Sequence, residues 1–387
     1  WKNLAEHAAL YTWLGQFGLT HHQMTKLVES YGADARRILE ENPYWLMELT
    51  GWAFARTDEI ARKVGVAKDN PHRMRACVLQ ILQDAAQDGH TWVACDMLLS
   101  EAERLLALDT WAQCACLRDV WGHMQSEAAP CVTVESTRAA LPALYHCERA
   151  VYEQITMLRN TSVESIPDAR LDAILNDCLS ATLNDGQTAA IRNMLTQRIT
   201  VTVGEAGTGK SFLLDSALTA LQIMGIAHED IALASPTGKA AKRMEESCGG
   251  RYTARTLHRL LGYSPRTNSW EYNAENKLPY AVIVVDEAGM LDIPLAYRLF
   301  DAVDTTRTRV ILIGDSAQLP PVGPGNLLRD LIATGIVPHV CLTEVMRQAG
   351  ELKHNCVSVL HGTCPPTSKR PEHDALLDGD NPAPAEG

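Results

Sequence analysis

The sequence predicts an α/β protein, a parallel sheet flanked by helices and preceded by an all-α region, on three observations. Short apolar runs at residues 199–203, 231–234, 281–285 and 310–313 alternate with helix-length segments, as strands buried on both faces do. The first ~125 residues instead place apolar residues at helical spacing, broken by Gly and Pro, with few β-branched runs. The first apolar run, ITVTV, leads straight into the glycine-rich turn GEAGTGKS at residues 204–211, which opens a helix.

Taken in order, these elements divide the chain. Residues 1–70 and 71–125 form the helical front, residues 126–180 a connector of mixed character, and residues 181–362 the sheet domain; residues 363–387, rich in Pro, Asp and small residues, are expected to be irregular. At 387 residues and 46% apolar content the chain can bury two or three cores. No stretch reaches the ~18 apolar residues of a membrane span, and no signal-peptide layout opens the chain. A cytoplasmic protein with no membrane partner is expected, although residue 1 is Trp rather than Met, which weakens what an absent targeting signal says.

Eleven cysteines without CxxC pairs fit reduced, buried thiols. Cys114, Cys116, His123, Cys131, His146 and Cys147 could be assembled into a zinc site, but their spacing matches no compact zinc module. The formal charge of −12 argues against a polyanion partner for the chain as a whole. Its distribution argues otherwise: residues 235–266 carry Lys239, Lys242, Arg243, Arg251, Arg255, Arg259 and Arg266 against only Glu245 and Glu246.

The turn fits G-x-x-x-x-G-K-[ST], with a strand before it and a helix after it. Gly204, Glu205, Ala206, Gly207, Thr208 and Gly209 would turn backbone amides toward phosphate oxygens, Lys210 would reach the β and γ phosphates of ATP, and Ser211 would offer its hydroxyl to Mg²⁺. A glycine-rich turn with no ligand is the bland alternative. Asp286 and Glu287 end the run at 281–285, where the sequence places them beside this loop: Asp286 to hold Mg²⁺, Glu287 to polarise the attacking water. Past the run at 310–313, Gln318 stands where it can sense the γ phosphate, on a loop stiffened by Pro320 and Pro321.

With these residues in place the chain resembles superfamily 1 helicases, and specifically the RecD-like DNA helicases related to the exonuclease V alpha subunit, over nearly its whole length. The resemblance implies a RecA-like P-loop motor domain that hydrolyses Mg-ATP and moves 5′ to 3′ on single-stranded or tailed duplex DNA. By resemblance, Gln187 in LNDGQ contacts the adenine; Pro236, Thr237 and Lys239 in SPTGKAA and His258 in TLHRLLG lie on the strand; Gln318 couples the two sites; and Arg347 in LTEVMRQ is an arginine finger. Gly289 stands where the family usually has Ser, removing a hydroxyl and so predicting weaker coupling, and Met346 where it usually has Phe. The resemblance also makes residues 15–32 and 49–65 paired helix-hairpin-helix motifs, which present backbone amides to phosphates. The second reads Gly51-Trp52-Ala53, and Ala53 resists a positive φ, so scaffolding competes with DNA contact there. Residues 71–106 resemble the family's small helical or winged segment.

An enzyme coupling ATP hydrolysis to movement is thus expected, with a nucleotide-gated single-stranded DNA-binding module that does not translocate as the alternative. About forty residues follow Gln348, too few for a second RecA-like domain of ~100 residues or more, so the 387 residues are not expected to unwind duplex DNA unless that domain is supplied in trans.

Overall fold

The computed structural model describes residues 10–48, 52–128, 130–177 and 183–344. The tail at 363–387 and Arg347 lie outside them. The front is helical: α1 (described over 10–15), α2 (His21–Tyr31), α3 (Ala35–Glu41) and α4 (Phe54–Val64). Leu14, Leu27, Leu39, Leu46 and Ile60 are its core. Thr20 caps α2 through a reciprocal capping box with Gln23. Thr20 enters that helix extended, at φ −70° and ψ 156°, and Ala53 enters α4 the same way, at φ −95° and ψ 159°. No left-handed residue is needed at Ala53, so the expected obstacle there is absent. In the first hairpin the positive φ falls on Gly18, two residues before the cap; its counterpart Gly51 lies outside the described residues.

Next come α5 (Pro71–Gln87), β1 (Val93–Ala94), α6 (Cys95–Leu106), α7 (Trp111–Ser126), β2 (Thr133–Glu135) and β3 (Arg138–Ala140), an order that makes a winged helix. The three strands pair antiparallel in the order β1-β3-β2. The wing therefore closes inside residues 126–180, expected to be connector. Its strands are three residues each, too short to leave an apolar run. A buried ion pair joins α4 to α5: Arg73 donates to both Asp58 oxygens, at 2.7 and 2.9 Å, and the Tyr44 hydroxyl donates to Asp58 at 2.6 Å. Burial alone would raise Asp58, but Arg73 and Tyr44 hold its carboxyl below the usual range.

The rest of the connector belongs to the motor domain: α8 (Pro142–Asn160) packs Val151, Ile155 and Leu158 into its core, and α9 (Asp168–Asp177) packs Leu171 and Ile174 on the opposite face. The remaining elements are α10 (Asp185–Thr196), β4 (Ile199–Gly204), α11 (Lys210–Ile223), β5 (Ile231–Ser235), α12 (Gly238–Ser247), β6 (Ala254–Thr256), α13 (Leu257–Leu260), β7 (Val282–Val285), α14 (Ile293–Asp301), β8 (Arg309–Gly314), α15 (Leu327–Thr334) and β9 (His339–Leu342). The six strands are all parallel, in the order β6-β5-β7-β8-β4-β9. Alternate residues feed two cores: Val310 and Leu312 face α8 and α14, Ile311 and Ile313 face α10 and α11. Parallel pairing sends the carboxyl ends of all six strands to one edge, where α/β sheets bind ligands.

Candidate functional site

The phosphate loop leaves β4 at that edge. Gly207 and Gly209 take φ of 88° and 84°, and Gly209 precedes α11 in the left-handed conformation, which turns the loop into the helix N-terminus. At Gly204 a Cβ would lie 2.4 Å from the Thr208 hydroxyl, so the close wrap of this loop requires glycine there. Thr208 is buried and donates to the Glu205 carbonyl at 2.8 Å. The Lys210 ammonium donates to the carbonyls of Gly204 and Glu205 and meets the Asp315 carboxylate at 3.3 Å.

Asp315 is a site residue that sequence reasoning did not single out, and the strand order explains why. β8 runs between β4 and β7, so the acidic residue next to the phosphate loop is Asp315, at the end of β8. Asp286 and Glu287 stand one strand further away, a correction to their expected place directly beside the loop. They still share with Lys210 and Ser211 a cavity of about 630 Å³, which Ala240, Arg243, Met244, Glu246 and Ser247 of α12 also line.

Asp286 accepts from the Glu287 amide at 2.8 Å, and burial pushes its carboxyl up to about 6. Glu287 holds the left-handed backbone at φ 54°, which costs a non-glycine residue roughly 1–2 kcal/mol. Its Oε2 is buried with no hydrogen-bond partner among the described residues. Glu287 lines this polar cavity and keeps one carboxylate oxygen without a partner among the described residues, as a group that is to accept from a water requires. Gly289 packs tightly: a Cβ there would sit 3.2 Å from the Asp315 carbonyl oxygen, so the close approach of β7 and β8 at this edge favours glycine.

Gln187 is buried. Its side chain accepts from the Asn184 amide at 3.2 Å and donates to the Thr208 carbonyl at 3.4 Å, bracing the phosphate loop. It also lines a second cavity of about 280 Å³ with Glu205, Gly207, Gly209 and Phe212. Phe212 is 44% exposed, an aromatic face that the sequence signalled only by its place after Ser211 on an inward-facing helix. Gln318 is exposed on the loop after β8, its amide 3.4 Å from the Asp315 carbonyl. That loop continues to Gly325, whose amide donates to the Gly89 carbonyl of the winged module at 2.9 Å.

The strand-contact candidates fall on the same edge. Thr237 caps α12 through the Ala240 amide, Thr256 caps α13 through the Arg259 amide, and Ser235 and Thr256 are in register on neighbouring strands. Pro236 and Thr237 are half-buried; Lys239 and His258 are exposed. Tyr263 and Trp270 contact the His258 ring at 5.5 and 5.3 Å and fix its position. The basic segment divides: Lys242 pairs with Glu246 and Arg251 with Asp215, while Lys239, Arg243, Arg255, Arg259 and Arg266 have no ion pair among the described residues. No group of three or more His, Cys, Asp or Glu among the described residues could hold a metal ion, so the cysteines and histidines weighed for zinc do not converge. No helix among them is long and apolar enough to cross a membrane.

A glycine-rich loop ending a parallel strand, with an acidic pair two strands away and a polar loop on the strand between, defines a RecA-like P-loop domain. The profile of the AAA domain family matches residues 182–366, and that of the ATP-dependent RecD2 DNA helicase HHH domain matches residues 4–92. The ATP-dependent RecD2 DNA helicase of Deinococcus radiodurans is 30% identical over 380 residues, covering 94% of this chain and 50% of that protein. The RecBCD enzyme subunit RecD of Mycolicibacterium smegmatis is 40% identical over 165 residues, covering 38% of this chain and 30% of that one. Among solved structures, the Pif1 helicase of Candida albicans matches 48% of this chain and 46% of its own at 22% identity, with a TM-score of 0.37. The chain is similar to the RecD-like DNA helicases over nearly its whole length. It spans about half the length of the Deinococcus relative.

Proposed function

We propose that this chain binds and hydrolyses ATP in response to single-stranded DNA, as the nucleotide-binding part of a 5′-to-3′ motor acting on single-stranded or tailed duplex DNA. The observation that carries the reading is the convergence of Lys210, Ser211, Asp286 and Glu287 on one cavity at the mouth of the phosphate loop. The loop amides and Lys210 would take the β and γ phosphates, exchanging the Gly204 and Glu205 carbonyls for phosphate oxygens. The purine would lie toward Gln187 and the exposed face of Phe212. Ser211 and Asp286 fit a magnesium ion, which would supply charge neutralisation at the phosphates.

Glu287 would orient the attacking water and accept its proton while the bond to the γ phosphorus forms and ADP leaves. Asp315, paired with Lys210 at the foot of the Gln318 loop, would pass the change in charge to that loop. Thr237, Lys239 and His258 would hold the strand on the neighbouring strand ends. The arginine finger assigned to Arg347, and a second RecA-like domain in cis or in trans, would complete the closed site. A cytoplasmic place is part of the same proposal.

Calorimetry tests the assignment: the parent should bind ATP, Lys210→Ala should not, and Glu287→Gln should bind normally while hydrolysis falls by ~10² to 10⁴, as for loss of a general base. Equal affinity for the parent and Lys210→Ala would refute it. Normal binding without turnover in the parent would favour a nucleotide-gated DNA-binding module.

A further inference from the structure

One cation of the phosphate cavity has no part in the reading above. Ala240, Arg243, Met244 and Ser247 stand at i, i+3, i+4 and i+7 on α12 and, with Glu246, line the cavity that Lys210, Ser211, Asp286 and Glu287 also line. Ala240 and Met244 are buried, which fixes the rotation of the helix about its axis. That rotation puts the Arg243 side chain at the cavity. Arg243 is exposed and makes no hydrogen bond or ion pair among the described residues. Nearby basic residues are committed elsewhere: Lys242 to Glu246, Arg251 to Asp215, Lys210 to Asp315. Nor is Arg243 spent on Asp286, whose cationic neighbour is Lys210.

The helix that carries Arg243 also reaches the strand edge. Thr237 caps it, Lys239 lies in its first turn, and Arg243 follows Lys239 by four residues, about 6 Å along the same face. A ten-residue helix packed by Ala240, Ala241 and Met244 moves as one body, so a shift of its N-terminus is felt at Arg243.

We infer that Arg243 is a further phosphate-contacting residue of the nucleotide site, carried to the γ phosphate by the helix whose first turn holds DNA. This rests on the reading of the site as an ATPase. A guanidinium forks onto two phosphate oxygens where an ammonium contacts as a point charge, so arginine suits a group that must arrive in register with a terminal phosphate. The arrangement would let single-stranded DNA raise hydrolysis from within one domain, in addition to the arginine finger assigned to Arg347.

The test compares the full chain with Arg243→Ala and Arg243→Lys; the side chain is exposed, so unchanged melting should certify both. Affinities for ATPγS and ADP are measured by calorimetry, nucleotide-free affinity for a single-stranded oligonucleotide by anisotropy, and ATP turnover with and without that oligonucleotide. Arg243→Ala should lose about 10-fold or more in ATPγS affinity, as for a charge-assisted hydrogen bond, with ADP and DNA affinities within about twofold. It should also lose most of the DNA stimulation. Arg243→Lys should recover ATPγS affinity in part and the stimulation less. Unchanged ATPγS affinity, or equal loss for ATPγS and ADP, overturns the assignment; loss of nucleotide-free DNA affinity instead would make Arg243 a strand contact. A parent that binds neither nucleotide refutes the ATPase reading itself, a separate failure.

Discussion

Replacing Asp286 with Asn should make the protein more stable and less active together. Burial raises this carboxyl from 3.8 to about 6, a shift of roughly two units, or ~3 kcal/mol at about 1.4 kcal/mol per unit. Partial exposure to solvent reduces the stability cost to about 1–2 kcal/mol. A carboxyl whose folded pKa lies above its unfolded one destabilises the fold where both states are ionised, above pH ~6 to 7. The cost fades as pH falls toward 4, because the folded state there binds more protons than the unfolded chain. Asn keeps the shape and can still accept from the Glu287 amide. Asp286→Asn should therefore unfold in urea at higher concentration than the parent at pH 8, with the gap closing by pH ~4, while magnesium-dependent hydrolysis is lost. A gap that does not change with pH, or an Asn variant less stable at pH 8, would refute burial as the origin of the shift and the trade of stability for metal binding.

Asp58→Ala should cost ~3–5 kcal/mol in chemical unfolding, because it strands the buried Arg73 guanidinium between the two front modules. In the parent the depressed Asp58 carboxyl stabilises the fold above its unfolded pKa and stops doing so as pH falls through its folded value, so acid should narrow the gap between parent and Asp58→Ala. Lys239→Ala combined with His258→Ala should weaken single-stranded DNA binding and flatten its salt dependence by about one counterion, for the one phosphate-facing cation removed. Unchanged affinity and slope, measured by anisotropy across salt, would make that edge a solvated surface only.

Much of this site was legible in the sequence because it lies at strand ends, where an apolar run stops and a glycine or acidic residue follows. ITVTV into GEAGTGKS and the run into Asp286 and Glu287 give chain position and chemistry at once. Strand order is not written locally. That β8 stands between β4 and β7, making Asp315 the immediate partner of Lys210, is a matter of long-range pairing between strands, β4 and β8 lying more than a hundred residues apart in the chain. Arg243 was visible as one charge in a basic segment, but its aim into the cavity follows from the burial of Ala240 and Met244. The wing strands, TVE and RAA, are three residues each, too short to carry an alternating pattern, and only their pairing with each other and of β3 with β1 reveals them. Ala53 misled because that position is the extended residue that enters α4, as Thr20 is for α2, and needs no positive φ.

The central claim, that nucleotide hydrolysis at Lys210 and Glu287 answers to DNA held on the neighbouring strand ends, is tested most directly by steady-state ATP turnover with and without a single-stranded oligonucleotide. The parent should turn over ATP faster with the oligonucleotide, Glu287→Gln should show neither basal nor stimulated turnover, and the stimulation should fade as salt strips the strand away. Turnover indifferent to DNA, or stimulation that survives Glu287→Gln, would contradict it.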